Sequence, residues 1–354
     1  MAEIDKYLRI VREHNGSDLH IASNVVPKIR VHGKLQPLDE PAPSPDRMTE
    51  LLFEICDERR AKIYRSKNDL DMAYELPGVA RFRVNLFRTL NGPAGVFRLI
   101  PEEILPLKNL GVPEVVLRYA HLRSGLVLVT GPTGSGKSTT LASILDYVNT
   151  NMKKHIVTIE EPIEFVHHNK MSFFTQREVG VDTESFAAAR RASSREDPDV
   201  VLVGELRDTE TIGLAITAAE MGFLVFATLH TNTAAKTVDR IIDVFPEDQQ
   251  NQIRTMLSVT LKGVCAQLLF PQKDGMGRIP ANEILMGSFG LGNIIREGNI
   301  GKIVSLIESG RGEGMQLMDD SILERYNDGL ISAETAYLFA NQKQRFQHLL
   351  NKIS

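Results

Sequence analysis

The stretch from Gly125 to Leu141, GLVLVTGPTGSGKSTTL, constrains the fold more than any other part of the chain. Its first six residues are apolar and β-branched, as in a strand buried on both faces, and Lys137 to Val148 has the composition of a helix, so the glycines between them occupy a strand-to-helix turn. Gly131, Gly134 and Gly136 tolerate backbone angles that point successive amides into one concavity, and the helix start adds partial positive charge. The loop Gly131, Pro132, Thr133, Gly134, Ser135, Gly136, Lys137, Ser138 and Thr139 is therefore the expected cradle for a triphosphate. Lys137 would reach the β- and γ-phosphates and the Ser138 hydroxyl a Mg²⁺ ion, making ATP and Mg²⁺ the expected cofactors. The alternative is a glycine-rich turn that binds nothing. The complete G-x-x-x-x-G-K-S spacing, in its strand and helix context, argues against that.

The chain of 354 residues has room for about two domains. A net charge of −4 gives no basic footprint for a nucleic-acid motor, so nucleic acid is not an expected partner. The charged N-terminus MAEIDKYLRIVREHNG is no signal peptide, and no apolar run approaches the roughly 20 residues of a transmembrane helix, so a cytoplasmic location is expected. Cys56 and Cys265 lie far apart without a C-x-x-C partner, which supports neither a zinc site nor a disulfide framework.

Residues 1–100 read as a small α+β domain, with a first helix, the alternating segment LHIASNVVPKIRVHGKL, a helix from Met48 to Tyr64, and a second alternating segment, ARFRVNLFRTLNGPAGVFRLI. Pro101, Pro106 and Pro113 punctuate an expected extended linker over 101–113. From 114 to 354, the buried-type strands GLVLVT, IVTIE, DVVLVGE and LVFATLH alternate with helices, which predicts an α/β domain with a parallel sheet. Residues 288–354 read as its helical C-terminal part.

Carboxylates cluster where ligands bind, at the carboxyl edge of such a sheet. TIEEPIEF puts Glu160, Glu161 and Glu164 there, and like charges beside a phosphate site call for a cation, although a solvated acidic loop is the plain alternative. PDVVLVGELRD ends a buried strand on Glu205, expected to adjoin the phosphate-loop strand. Glu205 is the first choice for general base, against a simple ion pair with Arg207. LVFATLHTN brings His230 to the same edge, either as a γ-phosphate sensor or as a structural histidine.

The order of GPTGSGKST, TIEEPIEF, REDPDVVLVGELRD and GFLVFATLHTN resembles the Walker A, Asp box, Walker B and His box of the secretion ATPase superfamily. SDLHIA, ARFRVN, QREVG, TAAKTVDRIIDVFP and GMQLMDDSIL are similar to its PilT/PilU branch, the type IV pilus retraction ATPases of twitching motility. The resemblance spans nearly the whole chain. It implies a RecA-like ATPase domain preceded by a PAS-like domain, assembled as a homo-hexamer whose hydrolysis drives pilus retraction at an inner-membrane platform protein and the pilus base. A paralogous retraction ATPase is a further implied partner, and an accessory or assembly ATPase is the implied alternative role.

Residue by residue, the resemblance gives Lys137 and Ser138 the Walker A roles, Glu160 and Glu164 the Asp-box carboxylates with metal contact, Glu205 the catalytic glutamate and His230 the second His-box histidine. Arg81 and Arg83 of ARFRVN match arginines that reach the triphosphate. Alternation along a strand puts both on one face, where the alternative is a solvated sheet face. The chain also departs from the pattern. Phe223 stands where the family has its first His-box histidine, and SFGLGNIIREG replaces an element beginning AIRN, with Gly290 or Leu291 at its arginine. Gly290 and Gly292 predict a late or frayed start to the helix there.

Overall fold

The computed structural model describes residues 2–31, 33–100, 103–193, 196–275 and 277–352. The chain divides into two compact units, one of Met1–Glu103 with Glu161–Val166, the other of Ile104–Glu160 with His167–Ser354.

The first unit is built on an antiparallel sheet of β1 (Asp18–Ala22), β2 (Val25–Val31), β3 (Lys34–Pro37), β4 (Asp69–Leu76), β5 (Ala80–Thr89) and β6 (Gly92–Ile100). Their order in the sheet is β3-β2-β1-β6-β5-β4. Strict alternation along β5 sends Ala80, Phe82, Val84 and Leu86 into a core shared with Ile4, Leu8, Met48 and Leu51 from the helices, and leaves Arg81 and Arg83 together on the other face. The single helix expected from Met48 to Tyr64 is two helices, Pro45–Phe53 and Glu58–Lys67. Asp57 divides them because its side chain accepts from the Arg60 amide, so the second helix has an N-cap of its own.

The proline-punctuated stretch is not extended beyond Pro106. Leu107–Leu110 forms a helical turn closed by Gly111, and Leu107 and Val112 are buried in the same apolar cluster as Val127 and Ile144, within a second unit that begins at Ile104.

The second unit contains β7 (Gly125–Thr130), β8 (His155–Glu160), β9 (Phe173–Glu178), β10 (Val200–Glu205), β11 (Leu224–Leu229), β12 (Leu261–Pro271) and β13 (Arg278–Met286). They form one sheet in the order β13-β12-β7-β11-β10-β8-β9. Every pair is parallel except β12 with β13, as a RecA-like α/β domain requires. Both faces are covered. Along β7, Leu126 and Leu128 enter one core, Val127 and Val129 the other, which is why the strand is apolar throughout. Strands β9, β12 and β13 extend the four-strand reading of the sequence. One placement needs correction: β10 does not adjoin β7, because β11 lies between them.

The helix predicted to start late or fray instead runs from Phe289 to Arg296, with Ser288 accepting from the Leu291 amide as its N-cap. Gly292 is buried, and a Cβ there would stand 2.7 Å from the Ser258 carbonyl oxygen of the helix Glu247–Thr260. The glycine permits close helix packing, which offsets its poor intrinsic propensity.

Candidate active site

The phosphate loop leaves β7 at Thr130 and ends at the helix Lys137–Asn151. Gly131, Gly134 and Gly136 have φ of 146°, 79° and 87°, in the region that side chains with a Cβ avoid. Pro132, Thr133 and Gly134 form an exposed tip, Ser138 and Thr139 are half-buried, and Ser135 and Lys137 are buried. Gly136 caps the helix without a side-chain hydrogen bond, so no side chain of the capping residue takes up the first amides. The Lys137 ammonium donates to the carbonyls of Gly131 at 2.8 Å and Pro132 at 3.1 Å, which fixes its head inside the loop. The Ser135 hydroxyl is buried with no partner among the described residues, as is that of Thr130. A buried donor aimed into a glycine loop at an uncapped helix start fits a phosphate oxygen.

Glu205 ends β10 and His230 follows β11, its neighbour, so the two side chains emerge side by side. One Glu205 oxygen lies 2.8 Å from His230 Nε2, and the other accepts from Arg207 at 3.1 Å. Burial pushes the Glu205 carboxyl up, but the hydrogen bond and charge of Arg207, together with His230, outweigh it and hold the group below the ordinary glutamate value. Glu205 is thus ion-paired with Arg207 and stands at the sheet's carboxyl edge beside His230.

Glu160 ends β8, against Gly204 of β10, and accepts from Gln176 at 3.3 Å. Glu164 lies in the segment that belongs to the first unit, where it pairs with Arg83 at 2.9 Å. Arg81 donates to the Ile163 carbonyl at 3.2 Å and pairs with Glu75 at 3.4 Å. The structure thus groups Arg81, Arg83 and Glu164 with one another. Among the described residues, no group of three or more histidine, cysteine, aspartate or glutamate side chains is arranged to hold a metal. A Mg²⁺ ion held by the Ser138 hydroxyl and phosphate oxygens needs no such group.

Phe223, at the position of the missing histidine, packs half-buried against the apolar core beside β7. Sequence reasoning missed Gln267, Thr140 and Asn282, which lie behind the loop. The signal was a glutamine inside the otherwise apolar run LKGVCAQLLFP, since a polar side chain there must find a buried partner.

Residues 2–285 match the type II/IV secretion system protein family. The chain belongs to that family. It is 49% identical over 310 residues to the twitching motility protein of Neisseria gonorrhoeae, covering 88% of this chain and 83% of that protein. It is 46% identical over 334 residues to the type IV pilus retraction ATPase PilT of Pseudomonas aeruginosa, covering 94% and 97%. The crystal structure of the pilus retraction motor PilT with bound ADP matches with a TM-score of 0.87 at 42% identity, over 98% of both chains. The chain is accordingly a PilT-type ATPase of the family. No described helix is long and apolar enough to cross a membrane.

Proposed function

We propose that this chain is a motor ATPase that converts ATP hydrolysis into retraction of a type IV pilus, working as a homo-hexamer on the cytoplasmic side of an inner-membrane platform protein at the pilus base. The observation that carries this reading is the end-to-end likeness to the retraction ATPase, supported by a glycine-rich phosphate loop on a sheet whose carboxyl edge also carries Glu205 and His230.

The loop from Gly131 to Thr139 binds the phosphates through its amides, and Lys137 leaves the loop carbonyls to neutralise the β- and γ-oxygens. A Mg²⁺ ion held by Ser138 would screen charge between those phosphates, and Glu160, at the end of β8 on the same carboxyl edge of the sheet, is assigned to its solvent shell. Glu205, kept ionised and fixed at both oxygens, orients the attacking water and draws its proton. His230 holds the Glu205 carboxylate through Nε2 and senses the γ-phosphate from the same edge. Arg81 and Arg83 are assigned to the charge that develops on the γ-phosphate, a role in which Arg83 exchanges Glu164 for phosphate oxygens.

Deleting the gene in its own host, and scoring surface pili and twitching, tests the proposal. Abundant pili without motility are expected. Loss of the pili themselves would mark an assembly ATPase and contradict retraction.

A further inference from the structure

The phosphate loop is held from behind by a buried polar cluster on β12 and β13. In the register of β12 with β7, Ala266 pairs with Thr130, so Gln267 falls level with Gly131, where the loop begins. The Gln267 side-chain amide donates to the Ser135 carbonyl at 2.6 Å. Its oxygen accepts from the Thr140 hydroxyl at 2.9 Å and from the Asn282 amide at 3.0 Å. None of the four residues is more than 2% exposed. The approach is close enough to dictate sequence in the loop. A Cβ at Gly131 would collide with the Gln267 carbonyl oxygen, and one at Gly136 would stand 2.8 Å from its side-chain nitrogen.

We propose that Gln267 is a positioning residue for the phosphate loop: its amide clamps the Ser135 carbonyl from behind, so that the amides and the Ser135 hydroxyl face forward to the phosphates. The clamp is directional. Thr140 and Asn282 both donate to the Gln267 oxygen, which leaves the nitrogen as the only end that can meet Ser135, and a carbonyl needs a donor there. Thr140 lies on the first turn of the helix that follows the loop, so one side chain ties strand, loop and helix together. A loop held this way spends less ordering on binding than one that must find its shape around the ligand. This role rests on the ATPase reading of the same site.

The test uses full-length Gln267→Leu, Gln267→Glu and Thr140→Val proteins, with mant-ATP binding and amide exchange as readouts. Gln267→Leu should weaken mant-ATP binding on the order of tenfold or more and speed exchange at Ser135–Lys137 in the nucleotide-free protein. Gln267→Glu supplies a readout that general structural damage does not move. Its carboxylate repels the Ser135 carbonyl, whereas its neutral acid form restores a donor, so its deficit against the parent should close as the pH falls from about 8.5 to about 6. Thr140→Val, which loosens the orientation of the amide, should fall between. A Gln267→Glu protein that binds as tightly as the parent at every pH, or one whose deficit is the same at every pH, would overturn the proposal. If the parent failed to bind mant-ATP, the ATPase reading would fall, while the exchange comparison would still decide the role of Gln267.

Discussion

Two glycines in one short helix should respond to alanine with opposite signs. Gly290 and Gly292 both lie in Phe289–Arg296, and on helix propensity alone either alanine stabilises by up to about 1 kcal/mol. At Gly290 the new Cβ would meet Leu306 Cδ1 at 3.5 Å and the Ser288 hydroxyl at 3.7 Å, which are ordinary contacts, so most of that gain survives. At Gly292 it would meet the Ser258 carbonyl oxygen at 2.7 Å, and an ordinary contact begins near 3.4 Å. Two helices must then part by several tenths of an ångström against backbone, an overpacking cost of about 1–3 kcal/mol. Gly292→Ala should therefore lose roughly 1 kcal/mol net, leaving the two variants about 1–2 kcal/mol apart. Thermal melting of the nucleotide-free proteins reads this as a separation of about 2–4 °C or more, with Gly290→Ala above the parent and Gly292→Ala below it. A Gly292→Ala protein that melts at or above the parent would refute the packing argument and return this glycine to a simple fraying role.

Other outcomes follow from the same geometry. Arg207 helps to hold the Glu205 carboxyl low, so Arg207→Ala should raise it and move the acid limb of the kcat–pH profile upward; an unmoved limb would show that Arg207 does not tune the base. Lys137→Ala should abolish tight ATP binding, measured by calorimetry, because it removes the positive charge fixed in the loop; unchanged affinity would contradict that assignment. Arg83→Ala should bind ATP yet turn it over at least about tenfold more slowly in steady-state assays, whereas turnover equal to the parent would reduce the Arg83–Glu164 pair to a structural contact.

Local chemistry was legible in the sequence and long-range pairing was not. The β7 strand, the glycine loop and the following helix declare themselves in seventeen consecutive residues, because burial on both faces demands an unbroken apolar run and the loop demands glycine. The ends of β10 and β11 were equally legible, since each apolar run stops at a charged or ionisable residue. That β11 separates β10 from β7 depends on where distant crossovers land, and no single segment encodes it. The Arg83–Glu164 pair, 81 positions apart, was hidden for the same reason, and so was the Gln267 clamp on Ser135. Gly292 misled in a different way. Propensity is a local property, and contact with Ser258 overrides it. The break at Asp57, by contrast, is encoded locally, as an N-cap aspartate inside the helical run.

If hydrolysis dependent on Glu205 drives retraction, a single allele separates the motor from its fuel. Glu205→Gln, placed at the native locus and also purified, removes the base while preserving shape and one hydrogen-bonding oxygen. The purified variant should bind ATP like the parent and lose on the order of 10²- to 10⁴-fold in turnover, and the strain should carry abundant pili and fail to twitch. Parent-like turnover, or twitching that survives the loss of turnover, would contradict the account.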